Sequence, residues 1–138
     1  GPQLVTAIIL WAREKNVGLI DALNGAHIIE GTIKWGAHMY IGLTKRSKKC
    51  AYFIYKESTS ERCTVEVLRH GDPGPQTFTW TIDDAKRAGL VGKPNWKNYP
   101  AHMLRARAGM DAARAVFPDV VGASHALEDF DELDDASK

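Results

Sequence analysis

A chain of 138 residues is long enough for one domain with a true core and short for two. No apolar run approaches the roughly 18 residues that cross a bilayer, no signal peptide is visible, and two cysteines make no disulfide framework, which sets the expectation of a reduced, cytoplasmic protein. The formal net charge of +1 hides an asymmetry, because Glu128, Asp129, Asp131, Glu132, Asp134 and Asp135 face only Lys138, leaving 17 basic and 11 acidic residues elsewhere, a body of +6. A basic body with an acidic tail suits a polyanion partner, although such a tail can equally be a solubilising device.

Gly1-Pro2 reads as a tag-cleavage scar and is set aside, so the natural protein is expected to begin upstream. Leu4, Ile8, Trp11 and Ala12, flanked by Val5 and Ala7, recur at helical spacing over 4–16, and Asn16-Val17-Gly18 stops that helix. A short second helix over 19–23 ends at Asn24-Gly25. His27-Ile28-Ile29-Glu30 and Ile33-Lys34-Trp35 then read as two short strands around Gly31-Thr32. From 36 to 47 the spacing is helical again, with Met39, Ile41 and Leu43, and the basic cluster Lys45, Arg46, Lys48 and Lys49 sits at its end. Cations there also suit the negative end of the helix dipole.

A three-strand meander follows over 51–58, 62–70 and 76–81. Strict alternation sets Tyr52 and Ile54 opposite Val67 and Val65 as the face that packs on helices. The other face would carry Phe53, Tyr55, Thr64 and Glu66, either stacking bases or buried under a helix or a neighbouring subunit. With Thr59-Ser60 at the hairpin tip, Cys63 falls across from Lys56, so Cys50 and Cys63 are expected as free thiols. Thr81 with Asp84 forms a loose capping box for a short helix carrying Lys86 and Arg87.

The chain is organised around what comes next. A basic loop holds Lys93, Trp96 and Lys97, and Pro100 and Pro118 bracket a long Ala-rich helix. Met103, Leu104, Ala108, Ala112, Ala115 and Val116 form its apolar stripe, while Arg107 and Arg114 share a face from which Arg105 points away. Beyond Pro118 the periodicity is lost, and a mobile acidic tail is expected over 122–138, following a core domain over 3–121. The element order, α-α-β-β-α-β-β-β-α-α, makes the fold class α+β: an antiparallel meander and a hairpin packed against helices, with a long helix near the end.

Catalytic patterns are hard to find. His27 and Glu30 fall on opposite faces of a strand, His38 and His102 lack a partner at metal-ligand spacing, and Asp83-Asp84 opens a helix where acids are favoured anyway. No metal, cofactor or catalytic residue is expected; a hydrolase would need a site assembled from distant residues. Nucleic-acid binding has more support. The candidate contacts are Lys45, Arg46, Lys48, Lys49, Lys86, Arg87, Lys93, Trp96, Lys97, Arg105, Arg107 and Arg114. Trp96 between Lys93 and Lys97 is the aromatic-in-basic interleaving of single-strand binders, or else a core anchor for its loop. The alternative from another class is a protein-interaction module with a basic face and an acidic docking tail.

The run Trp96-Lys97-Asn98-Tyr99-Pro100-Ala101-His102-Met103-Leu104-Arg105-Ala106-Arg107, closing with Ala115-Val116-Phe117-Pro118, resembles the C-terminal core of phage single-strand annealing proteins of the RecT/Bet type. The order of elements upstream, from the His27–Gly31 hairpin through Lys45-Arg46-Ser47 to Trp80-Thr81-Ile82-Asp83-Asp84, is similar too. This resemblance implies ATP-independent annealing of complementary strands in recombination, with assembly into rings or helical filaments on DNA. It also implies backbone contacts from Arg105 and Arg107, and from Lys93 and Lys97. The acidic tail stands where such proteins often carry a partner-binding region, for an exonuclease or a single-strand-binding protein.

Overall fold

Helix α6 (Pro100–Val116) is buried on two sides and contributes to both hydrophobic clusters of the described residues. The computed structural model describes residues 1–122; the acidic tail from 123 onward lies outside the described residues. Met103, Leu104, Ala108, Ala112 and Val116 of α6 pack on the three-stranded sheet, whereas Met110 and Ala113 pack on the N-terminal helices. Small side chains on two stripes let one helix serve both layers. Ala115 departs from the expected stripe and is exposed.

The N-terminal layer is held by aromatic rings. Helix α1 (Pro2–Lys15) begins with Pro2 in its first turn, so the two residues set aside as a scar cap and open a helix. It closes at Asn16, in the left-handed region at φ 54°. Trp11 of α1 stacks on Trp35 with ring centroids 3.7 Å apart, and Tyr40 meets Trp11 edge-on at 6.2 Å. Trp35 belongs to strand β2 (Thr32–Trp35), and its indole donates to the Ala22 carbonyl of α2 (Leu19–Gly25) at 3.1 Å. Glu30 and Gly31, at φ 51° and 77°, make the tight turn between β1 (Ala26–Ile29) and β2. Tyr40 and Ile41 of α3 (Ala37–Arg46) complete this cluster.

The sheet runs β3 (Cys50–Ser58), β4 (Arg62–Arg69), β5 (Gln76–Thr81), antiparallel throughout. Its register corrects the expected faces. Phe53 pairs with Val67 and Tyr55 with Val65, so the aromatics accompany the buried valines on the helix side. Tyr52 and Ile54 lie outside, opposite Leu68 and Glu66. The hairpin closes at Ser58 opposite Cys63, not at Lys56, and Ala51 and Lys56 are skipped at register shifts. One slipped residue exchanges the two faces of a strand, which alternation alone cannot foresee. Both cysteines are free, as expected.

The capping box forms as read: Thr81 accepts from the Asp84 amide at 3.2 Å and its own amide donates to the Asp84 carboxylate at 2.9 Å, opening α4 (Ile82–Arg87). Two further short helices, α5 (Pro94–Asn98) and α7 (Pro118–Val121), flank α6 where a loop and a tail are read from the sequence. Gly109 lets the layers close. A Cβ there would lie 2.6 Å from Ile41 Cδ1 and 2.8 Å from the Tyr55 hydroxyl, so α3 and β3 reach α6 only over a glycine. Among the described residues, no helix is long and apolar enough to cross a membrane.

Candidate polyanion-binding site

The cations singled out in the sequence divide by what the fold gives them to hold. Lys49 pairs with Asp119 of α7, and Arg69 grips the same carboxylate through two bonds of 2.6 and 2.9 Å. Those two partners hold the Asp119 carboxyl far below the usual carboxylate range. Arg46 donates to the Lys15 and Asn16 carbonyls, both at 2.6 Å, and so closes the open end of α1. Arg87 pairs with Asp84, and Lys86 stands 3.8 Å from Asp83. Lys48 and Lys97 are exposed, while Lys93 precedes α5 as its N-cap.

Trp96 corrects the stacking assignment. It is 2% exposed and packs in the sheet-side core, where burying an indole outweighs leaving it in water. Arg105 and Arg107 are also separated. Two positions turn a helix by about 200°, so Arg105 leaves α6 toward β3 and Arg107 toward β5. Arg105 donates to the Ser58 hydroxyl at 2.9 Å, whereas the Arg107 guanidinium lies over the Trp80 ring at 5.6 Å. Trp80 in turn donates to Asp111 at 2.6 Å. Arg114 is half-buried further along. The three basic stretches therefore do not merge into one groove.

Part of the first and third stretches does converge. Lys45, in the last turn of α3, places its ammonium 5.2 Å from the Tyr55 ring centroid and 5.6 Å from that of Phe53. The two rings meet edge-on at 5.8 Å. Arg105 acts on the same tyrosine from the other side: burial pushes the Tyr55 hydroxyl up to about 12, and the Arg105 charge opposes that rise. His102 follows on α6, its proton affinity lowered first by burial and then by Arg105 and His38, so the imidazole is neutral at pH 7. Lys45 of α3, Phe53 and Tyr55 of β3 and Arg105 of α6 thus gather at one site, where α3 and β3 close on α6 over Gly109. Among the described residues, neither Lys45 nor Arg105 pairs with a carboxylate.

Sequence reasoning missed Phe53 and Tyr55 as partners of a cation, and missed Arg69 altogether. Arg69 and Asp119 lie fifty positions apart, with no local pattern joining them. Lys45 beside a strand of alternating aromatics is the one sequence signal for this site, and the register shifts of β3 mask it. Among the described residues, no group of three or more His, Cys, Asp or Glu side chains could hold a metal ion. Compared with known proteins, the chain matches no family model and no curated protein.

Proposed function

We propose that this chain binds single-stranded DNA through the Lys45–Tyr55–Arg105 site where α3, β3 and α6 meet, and anneals complementary strands without ATP. The observation that carries the reading is that Lys45 lies over the Phe53 and Tyr55 rings of β3, Arg105 donates to Ser58 of the same strand, and neither has a carboxylate partner among the described residues. Cations whose charge is not cancelled locally attract phosphates, and releasing the counterions of the strand supplies the free energy. Gripping by phosphates leaves base edges free, which annealing requires and which needs no covalent chemistry. Because few cations gather at the site, affinity per chain is modest, and the ring or filament that the annealing-protein resemblance implies would multiply it.

Anisotropy of a labelled oligonucleotide tests this. Lys45→Ala with Arg105→Ala is expected to weaken binding at least tenfold at low salt while leaving the melting temperature nearly unchanged. Unchanged affinity in that folded double variant rejects the site. Annealing is read separately, by the rate at which a dye-labelled strand and a quencher-labelled complement pair. A second reading, a protein-interaction module, is favoured by Leu19, Ile20 and Leu23, which expose 44, 68 and 39% of their surface on one side of α2. Light scattering of an Ile20→Glu variant separates the two: loss of self-association with intact single-chain DNA binding assigns α2 to contacts between copies.

A further inference from the structure

The ends of α1 and α3 meet α7 at a recess of about 440 Å³, whose lining includes neither Lys45 nor Arg105. Lys15, Arg46 and Lys48 line it, with Glu14 and Asp119 as its acids. Asp119 is already taken by Lys49 and Arg69, and Lys15 and Arg46 spend their bonds on neutral carbonyls, Val120 and the end of α1. A carbonyl accepts a hydrogen bond without cancelling a charge. The recess is therefore a site of excess positive charge: three cations line it against two carboxylates, and one of those carboxylates, Asp119, is already neutralised by Lys49 and Arg69 beside it.

The described chain ends beside it. A Cβ on Gly122 would lie 3.2 Å from the Lys15 ammonium. Residues 123–127 carry no acid, and 128–135 then hold six acids interleaved with Phe130 and Leu133. Six positions of extended chain span about 20 Å, so Glu128 starts within reach of every cation of the recess.

We propose that the acidic segment 128–135 docks in this recess as an intramolecular polyanion. Docking stands independently of DNA binding; its consequence, that the tail competes with nucleic acid for the basic body, rests on the function proposed above. Charge complementarity and the point where the fold releases the chain select this occupant.

Amide NMR spectra test it on the full chain, against a full-length variant in which the six tail acids become Asn or Gln. Expected are shift differences at 15–17 and 46–49, abolished in about 0.5 M salt, where charges are screened beyond about 4 Å. Lys48→Glu, at an exposed position, should produce the same differences without altering the melting temperature. No difference at those amides overturns the proposal, as does a difference confined to Lys45, Tyr55 and Arg105, which would seat the tail at the proposed DNA site instead. In the oligonucleotide titration, the neutralised tail should raise affinity several-fold at low salt. If neither form binds DNA, the nucleic-acid reading falls while the amide shifts alone decide docking.

Discussion

Neighbouring residues at the end of α3 serve two different environments. Lys49, with Arg69, is committed to Asp119, and Arg46 to the carbonyls that end α1; these cations fasten α1 and α7 to the fold. Lys45, one position before Arg46, turns the other way and rests on aromatic faces, with Arg105 beyond. A ring or a carbonyl holds a cation without neutralising it, so charge persists at Lys45 and Arg105 and at Lys15 and Arg46, and is cancelled where Lys49 and Arg69 meet Asp119. Basic residues in a sequence thus say little about binding until their acids are located.

The comparison can be broken from both sides. The largest effect expected is from Trp96→Ala, about 3–5 kcal/mol of stability by denaturant unfolding, since it empties a core position. DNA affinity per folded molecule should stay the same; a selective loss of affinity would restore Trp96 as a stacking residue. Gly109→Val should cost about 1–3 kcal/mol by overpacking the floor shared by Ile41 and Tyr55, visible as a lowered melting temperature.

Smaller effects separate the cations. Lys49→Ala with Arg69→Ala should lower stability slightly and leave the slope of log affinity against log salt unchanged, because those charges are spent. Lys45→Ala with Arg105→Ala should flatten that slope by about 1.4, the value for two phosphate contacts on a single strand. The smallest effect is on pH dependence. The Asp119 carboxyl is held low in the fold, so its stabilisation is complete above about pH 4 and lost on acidification; Asp119→Asn should flatten that acid limb in pH-dependent melting. His102 has a lowered proton affinity in the fold, so stability also declines as pH falls below about 6.5, and His102→Gln should remove that part.

Much of this fold is legible from local signals. The Thr81-Asp84 box, the prolines at 100 and 118 and the Asn16 stop all mark real boundaries, because capping depends on residues a few positions apart. Helix α5 escapes because five residues carry too little periodicity. The faces of β3 escape because a skipped residue at Lys56 is a property of the paired strands, not of the strand alone. The site is less legible. Which cations are spent depends on Asp119 and on the end of α1, both distant in sequence, and burial of Trp96 depends on a sheet placed by tertiary contacts. Lys45 and Arg105 emerge only after those are removed.

Helix α6 contributes side chains to both apolar clusters, Met110 and Ala113 to one and Met103, Leu104 and Ala108 to the other. Neither cluster can melt without stripping the helix from its counterpart. Heating should therefore give a single cooperative transition, with calorimetric and van't Hoff enthalpies equal, and the slowest-exchanging amides of the molecule should be those of this shared helix.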